Sequence, residues 1–228
     1  MRLSDRLVRK YYHLKKKLGF PSFFTPTPDT ARGLKQAFKQ TKNLVGDYCE
    51  FGLFEGYSFY QAIKLGKKFG HTKHFFGFDS FEGLPETRGI DTGWRFRQGQ
   101  YACSLEQVKA NLHGKGCLAD NVYLVKGFFS ESLRNKAKLD NLPLGKVRVI
   151  LIDCDLYEST KDVLNFIEPY LQKGTVILFD DWNCFEADDE RGERKAWREF
   201  LDQRPQIKAV LTSYFGWHGA MFMLTQVD

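Results

Sequence analysis

The sequence lacks any long apolar stretch. No run approaches the roughly 20 apolar residues that an α-helix needs to cross a bilayer. The charged first residues also lack the apolar core and the small-residue cleavage site of a secretory signal peptide. We therefore expect no transmembrane segment and a cytoplasmic location.

Cysteines are few, and their spacing is uninformative. The chain has five of them, an odd number, with no CxxC pair. This usage favours reduced thiols over a disulfide framework or a zinc site. The five residues are Cys49, Cys103, Cys117, Cys154 and Cys184.

Net charge is missing from most of the chain. Residues 1–20 hold seven Arg and Lys residues against Asp5 alone, which equals the net charge of +6 of the whole protein, so residues 21–228 sum to zero. A basic segment on a neutral body is a weak case for a nucleic-acid enzyme, and we expect no nucleic-acid partner. The segment Leu3–Leu18 carries an apolar stripe at helical spacing, which suits an amphipathic helix and would allow a homodimer to form through it.

A length of 228 residues, 43% of them hydrophobic, supports one substantial core. We divide the chain into an N-terminal extension, residues 1–45, and a main domain, residues 46–228. The extension comprises the basic amphipathic helix, a proline-containing connector and a lead-in helix over Ala31–Leu44, capped by Asp29 or Thr30.

The main domain alternates between apolar strands and amphipathic helices. The predicted strands are Tyr48–Phe54, His74–Ser80, Asn121–Phe129, Val147–Asp155, Gly174–Trp182, Ile207–Ser213 and Gly219–Thr225. The predicted helices are Gly56–Phe69, Ser104–Leu112, with a capping box of Ser104 and Gln107, Tyr157–Leu171 and Glu190–Leu201.

Connection lengths predict the sheet. Helices link the earlier strands, whereas only the aromatic loop Tyr214–His218 joins the last two, so those two must be antiparallel. The fold class is therefore α/β: a Rossmann-like, doubly wound and mostly parallel sheet that ends in a C-terminal antiparallel hairpin, with an N-terminal helical extension.

In such a sheet, ligands bind beyond the carboxyl ends of the strands. Gly52 lies near the end of the first strand and Gly56 just after it, where they allow a tight turn into the N-terminus of the next helix. Glu50, near the end of the same strand, would suit an ammonium group and oppose a pyrophosphate. Because the loop also lacks GxGxxG spacing, a nucleotide-dependent oxidoreductase is the weaker alternative.

The second and third strands end in residues that suit a nucleoside. Asp79, followed by Ser80, ends the second strand, where a carboxylate can accept both hydroxyls of a ribose. The alternative is an aspartate that only stabilises a turn. Gly127, after the third strand, would let a flat base lie against the backbone.

Four carboxylates lie at the ends of the fourth and fifth strands. Asp153 and Asp155 are at the end of one strand, and Asp180 and Asp181 are at the end of the other. If the two strands are adjacent, these acids repel one another unless a cation neutralises them. Hard oxygen ligands favour Mg²⁺ over zinc. The alternative, that Asp155 and Asp181 cap the following helices, leaves the other two acids unexplained.

Together these motifs resemble the class I S-adenosylmethionine methyltransferases, and more closely the macrocin O-methyltransferase family. The resemblance covers roughly residues 46–182, and its most specific parts are the blocks 153–160 and 180–181. Two positions depart from the family pattern: Cys154 stands where a smaller residue is usual, and Trp182 stands where a tyrosine is common.

The resemblance implies an O-methyltransferase with S-adenosylmethionine and Mg²⁺ as cofactors and a sugar-like hydroxyl as acceptor. The implied cofactor residues are Glu50, Gly52, Gly56, Ser58, Asp79, Ser80 and Gly127. The implied metal ligands are Asp153, Asp180 and Asp181, and Asp155 is the implied general base. Trp182, Tyr214, Trp217 and His218 are candidate acceptor contacts.

Two matters stay open at this stage. A nucleic-acid or membrane-surface adaptor that works through its basic helix is a further alternative, although it leaves the four acids unexplained. The acceptor itself is undetermined among a nucleotide sugar, a glycosylated natural product, a polysaccharide sugar and a catechol-like phenol.

Overall fold

A seven-stranded sheet forms the centre of the molecule. The computed structural model describes residues 24–228, so the helix predicted over Leu3–Leu18 lies outside the described residues. The strands are β1 (Gly46–Phe51), β2 (Thr72–Asp79), β3 (Val122–Lys126), β4 (Val147–Ile152), β5 (Val176–Phe179), β6 (Lys208–Phe215) and β7 (Gly219–Gln226).

The strands lie in the order β3-β2-β1-β4-β5-β7-β6. Strands β1 to β5 pair in parallel, whereas β7 runs antiparallel to both β5 and β6. The predicted mostly parallel sheet with a C-terminal antiparallel hairpin is confirmed. So is the adjacency of the two strands that precede the four carboxylates.

Helices cover both faces of the sheet. The helices are α1 (Pro28–Gln40), α2 (Tyr57–Phe69), α3 (Leu105–His113), α4 (Phe129–Ser132), α5 (Lys136–Leu139), α6 (Tyr157–Ile167) and α7 (Gly192–Asp202). On one face, Leu34 and Phe38 of α1 join Ile63 of α2 in one apolar core. On the other face, Leu164 of α6 and Trp197 of α7 belong to a second core. Because α1 shares a core with the sheet, the division at residue 45 stays a prediction.

Four strands end three residues earlier than predicted. We expected them to continue to Phe54, Phe129, Asp155 and Trp182, but they end at Phe51, Lys126, Ile152 and Phe179. The apolar composition of the loops gave no sign of this difference. The chain turns as soon as the neighbouring strands end, because no ladder partner remains beyond that point.

The helix ends also differ from the expected ones. Helix α1 begins at Pro28, and no side chain caps it, so the predicted capping by Asp29 or Thr30 is wrong. Proline at the first helical position tolerates this start because its missing N–H has no partner there. Helix α6 ends at Ile167 rather than Leu171, since Pro169 turns the next residues into a 3₁₀ turn, Glu168–Tyr170.

Two local predictions are partly wrong. Ser104 caps α3 by accepting from the Gln107 N–H at 3.2 Å, but the Gln107 side chain donates to Asn111 instead of completing the capping box. The expected loop Tyr214–His218 is shorter, because β6 continues through Phe215.

Other expectations are tested only in part. All five cysteines are free thiols. Within residues 24–228, no helix has the length and apolarity that a membrane span requires. The homodimer and the cytoplasmic location stay predictions.

Candidate active site

The register of the sheet brings the predicted site residues into one row. Phe51 pairs with Phe78 and with Ile152, and Ile152 pairs with Phe179. The residues that directly follow this row of buried apolar side chains are Gly52, Asp79, Asp153 and Asp180. These four therefore stand side by side at the carboxyl edge of the sheet, as a parallel sheet requires.

A cavity of about 800 Å³ opens over this row. The ends of β1, β2, β4 and β5 form its floor, and the segment 83–101 together with residues 25–27 forms part of its wall. Eight of the predicted residues line it: Gly52, Ser58, Asp79, Ser80, Asp153, Asp155, Asp180 and Asp181.

The turn after β1 depends on Gly52. Its φ is +91°, and a Cβ there would lie 1.8 Å from the Asp153 carbonyl oxygen. Only glycine fits such a close approach of two strand ends. Gly52 therefore brings the β1 turn directly against the β4 turn that carries the aspartates.

Asp79 stabilises this turn. Its Oδ2 accepts hydrogen bonds from the N–H groups of Leu53, at 2.6 Å, and Phe54, at 3.3 Å. Its Oδ1 accepts from the Phe81 N–H at 2.6 Å. Asp79 therefore does stabilise a turn, as the alternative interpretation of this residue expected. Its carboxylate also borders the cavity, so the ribose contact stays a prediction.

Glu50 lies beneath the cavity rather than in its wall. The side chain is fully buried, and its carboxyl accepts from Ser58 Oγ at 2.5 Å and from the Tyr48 hydroxyl. Burial raises the pKa of Glu50 to about 8, although both hydrogen bonds oppose that rise. Any influence of Glu50 on a ligand therefore passes through Ser58, which does border the cavity.

Two predicted glycines and Ser80 have local structural roles. Gly56 precedes α2 with a φ of +87°, and Gly127 has a φ of +138° with Ser132 packed against it. Neither glycine is among the residues that line the cavity. The Ser80 hydroxyl donates to the Gly83 carbonyl at 2.7 Å and so shapes the turn after β2.

The four aspartates form one electrostatic cluster. Burial, followed by the negative charges of neighbouring acids, raises the pKa values of Asp153 and Asp155 well above their ordinary range. Burial and Asp180 raise the pKa of Asp181 to about 6. Four acids that oppose one another's ionisation require either shared protons or a cation.

Contacts from other elements hold two of these acids. Thr30 of α1 donates to Asp180 Oδ1 at 2.8 Å, and Cys184 donates to Asp181 Oδ1 at 3.2 Å. The fully buried Glu193 of α7 accepts from the Asp181 N–H at 2.9 Å. Asp181 Oδ2 is buried and has no hydrogen-bond partner, and the Asp181 carboxyl interacts with that of Asp155.

This donor set fits Mg²⁺ chemically. Its ligands are hard carboxylate oxygens, and one buried oxygen, Asp181 Oδ2, has no hydrogen-bond partner. Within residues 24–228, however, no group of three or more His, Cys, Asp or Glu side chains is arranged to hold a metal ion. The assignment of Asp153, Asp180 and Asp181 as ligands therefore stays a proposal.

Asp155 does not cap α6. The aspartate that does so is Asp91, whose Oδ1 accepts from the Tyr157 N–H at 2.8 Å. Asp155 instead has a left-handed φ of +67° and borders the cavity. Asp181 caps no helix either, because α7 begins eleven residues later, at Gly192.

None of the four candidate acceptor contacts is among the residues that line the cavity. Trp182 turns into the core against Phe179 and Phe222, because the chain bends directly after β5. Tyr214 and Trp217 are 55% and 63% exposed on the terminal hairpin. His218 lies behind Asp180, with Nδ1 2.6 Å from the Asp180 carbonyl oxygen.

Part of the cavity wall is a loop, residues 84–100, whose conformation the sequence did not predict. Leu84 and Gln100 close its neck, with the Leu84 N–H donating to the Gln100 carbonyl at 2.9 Å. Asp91 fixes the loop to α6, and the Arg191 guanidinium donates to the carbonyls of Ile90, at 2.9 Å, and Thr92. The sequence of residues 88–103 predicts none of these contacts, since long-range contacts leave no local pattern.

Solved structures share this fold. A crystal structure of a calicheamicin methyltransferase has a TM-score of 0.72 and 23% identity, over 96% of this chain and 90% of that one. An O-methyltransferase from Bacillus cereus in complex with SAH has a TM-score of 0.60 and 15% identity, over 99% and 92%. The fold is accordingly that of the class I methyltransferases.

Sequence comparison identifies the family to which the chain belongs. The chain is 35% identical over 144 residues to the 8-demethyl-8-(2,3-dimethoxy-alpha-L-rhamnosyl)-tetracenomycin-C 4'-O-methyltransferase of Streptomyces olivaceus. That match covers 60% of this chain but 53% of the relative, so the chain spans about half of that protein's length. A family model described as Macrocin-O-methyltransferase (TylF) matches residues 32–222. Because this match takes in most of the chain, the protein belongs to the macrocin-O-methyltransferase (TylF) family.

Proposed function

We propose that the chain is an S-adenosylmethionine- and Mg²⁺-dependent O-methyltransferase that acts on a hydroxyl of a sugar or of a glycosylated small molecule. The observation that carries this proposal is the cavity, in which Asp155 borders the same space as Asp153, Asp180 and Asp181. Family membership supports this function over the oxidoreductase and the adaptor.

The cofactor side of the cavity is the part above β1 and β2. The N–H groups of Leu53 and Phe54 in the β1 turn are bound to Asp79, whereas the start of α2 has no side-chain cap and would offer backbone N–H groups to the carboxylate of the methionine moiety. Asp79 is placed to accept the ribose hydroxyls with the lone pairs that its turn contacts leave available. Ser58 adds a hydroxyl that Glu50 orients from below.

The chemical step needs one base and no covalent nucleophile. The acceptor oxygen attacks the methyl carbon, the carbon–sulfur bond breaks, and the hydroxyl proton passes to Asp155. Mg²⁺, held by Asp153, Asp180 and Asp181, would supply positive charge that makes the acceptor hydroxyl more acidic. The protein's main contribution is to align acceptor, methyl group and base.

The acceptor class rests on the relatives. The Streptomyces olivaceus protein is named for a rhamnosyl-bearing tetracenomycin, and another solved structure of this fold is named as a TDP-rhamnose 3'-O-methyltransferase of calicheamicin biosynthesis. We therefore assign a sugar acceptor to this chain, and we place it between the aspartates and the loop 84–100.

Methyl transfer from isotopically labelled S-adenosylmethionine tests this function directly. The acceptor panel comprises p-nitrophenyl α-L-rhamnoside, p-nitrophenyl β-D-glucoside, thymidine diphosphate rhamnose and catechol, each with Mg²⁺ present. We expect label in at least one sugar and none in catechol. Label in catechol alone would contradict the acceptor class, and no binding of S-adenosylhomocysteine by calorimetry would contradict the function itself.

Asp79→Ala should weaken the binding of S-adenosylhomocysteine by about 1–3 kcal/mol, the usual cost of unpairing a polar ligand group. Because the same change removes three hydrogen bonds within the protein, the loss of affinity alone is ambiguous. The analogue without the ribose 2′-hydroxyl resolves this. It should bind wild type more weakly than the parent ligand does, whereas Asp79→Ala should bind both alike.

Calorimetric titration of both ligands into both proteins completes this cycle. If the missing hydroxyl costs the variant as much affinity as it costs wild type, then Asp79 has no contact with the ribose and acts on the turn alone.

A further inference from the structure

Tyr101 stands where the loop 84–100 returns to the body of the protein. The neck of this loop is fixed by two backbone hydrogen bonds, from Leu84 to Gln100 and from Gly99 to Leu84, both at 2.9 Å. Tyr101 follows the neck directly and lines the cavity. The two hydrogen bonds of the neck therefore fix the backbone next to Tyr101 and so hold this residue at the cavity wall.

The ring of Tyr101 is available to a ligand. The residue is 47% exposed, which is high for an aromatic residue that lines a cavity. Its ring meets Phe54 edge-on, with centroids 5.9 Å apart and planes at 74°. Phe54 belongs to the turn that Asp79 fixes, so this pair joins the cofactor side of the cavity to the loop.

The backbone is strained at both Tyr101 and Phe54. Tyr101 has a φ of +61° and Phe54 a φ of +50°, the left-handed region that aromatic residues rarely adopt. Asp155, the proposed base, is the third left-handed non-glycine residue that lines the cavity. Strained residues that surround a ligand cavity, with their side chains left exposed, are typical of functional positions.

Tyr101 lines the same cavity as Asp153, Asp155 and Asp181. Burial and the charges of Asp155, Asp181 and Asp153 raise the pKa of Tyr101 to about 12. At neutral pH the phenol therefore keeps its proton and acts as a hydrogen-bond donor beside a cluster of acceptors. A sugar could bind both parts of Tyr101: the apolar face of the sugar ring would contact the aromatic ring, and a sugar oxygen would accept a hydrogen bond from the hydroxyl.

We propose that Tyr101 is a specificity-determining residue that binds the acceptor sugar, with its ring against the sugar ring and its hydroxyl donating a hydrogen bond to a sugar oxygen. This inference rests on the proposed function, because it presupposes a sugar acceptor. It assigns acceptor recognition to the loop neck and not to the terminal hairpin, where Tyr214 and Trp217 lie.

Two variants separate binding from structure. Tyr101→Phe removes only the hydroxyl, and we expect the KM for p-nitrophenyl α-L-rhamnoside, or for whichever panel sugar wild type methylates, to rise about tenfold, as for one lost hydrogen bond. Tyr101→Gly removes the ring and relieves the left-handed strain. Its KM should rise further, while its Tm stays equal to that of wild type or increases.

Tyr60→Phe is the matched control, because it removes a hydroxyl from a tyrosine that is not among the lining residues. It should leave the KM unchanged, and all three variants should bind S-adenosylhomocysteine like wild type. An unchanged acceptor KM in both Tyr101 variants, with wild type active, would overturn the role of Tyr101 alone. A wild type that methylates no sugar would overturn the proposed acceptor class and this inference with it.

Discussion

Treatment with EDTA should abolish methyl transfer, and added Mg²⁺ should restore it. The physical reason is the cluster of Asp153, Asp155, Asp180 and Asp181, whose charges oppose one another. Without a cation some of these acids hold protons, and a protonated Asp155 cannot accept the proton of the acceptor. Binding of Mg²⁺ should lower their pKa values and return the base to its active form.

Thermal denaturation tests the metal site independently of turnover. Mg²⁺ should raise the Tm of wild type, because a ligand that binds only the folded state stabilises it. Asp153→Asn and Asp180→Asn should lose most of this Tm increase. Full turnover in EDTA, or a Tm increase that both variants retain, would mean that the carboxylates work without a metal.

A control for these variants lies at the amino ends of the parallel strands, on the side of the sheet away from the cavity. Asp47 is a buried aspartate at the amino end of β1, where it accepts hydrogen bonds from the N–H groups of His74, at 3.1 Å, and Gly145, at 2.7 Å. Asp47→Asn should lower the Tm through these lost contacts but keep the Mg²⁺-induced increase. The comparison separates loss of a buried carboxylate from loss of a metal ligand.

The sequence predicted the strand-end residues well because that prediction needs only two facts. Apolar runs identify the strands, and parallel strands end at the same edge of the sheet. The residues that follow β4 and β5, such as Asp153 and Asp180, are therefore near one another whatever the exact boundaries are. This is why errors of up to three residues in where a strand ends did not change which residues were predicted to meet.

Side-chain direction was harder to predict. Glu50 and Trp182 are close in sequence to lining residues, yet both point into the protein, since alternate residues of a strand face opposite sides and a turn redirects the chain. Thr30, Glu193 and Asp91 reach the site from distant segments. No local pattern marks such long-range contacts, and only the folded structure reveals them.

Asp155→Asn should reduce kcat by about 10²–10⁴, the usual contribution of a positioned general base. The sequence left a competing explanation, in which Asp155 caps the next helix and asparagine, an equally good cap, would be nearly silent. The structure assigns that cap to Asp91, which accepts from the Tyr157 N–H at 2.8 Å and the Glu158 N–H at 3.4 Å. A loss of activity in Asp155→Asn could therefore not be attributed to a lost helix cap.

The substitution is also conformationally mild. Asp155 has a φ of +67°, and asparagine tolerates the left-handed region at least as well as aspartate does. The variant should therefore keep its Tm, its affinity for S-adenosylhomocysteine and the Tm increase on addition of Mg²⁺. Only the acceptance of the proton is removed, so the acceptor KM should change little while kcat falls.

Rapid-quench measurement of a single turnover gives the rate of the chemical step itself and excludes product release as the cause. His218 is a poor substitute base, because its Nδ1 is engaged by the Asp180 carbonyl and the residue is not among those that line the cavity. A single-turnover rate close to that of wild type in Asp155→Asn would thus show that solvent takes the proton, and that the aspartate cluster serves the metal alone.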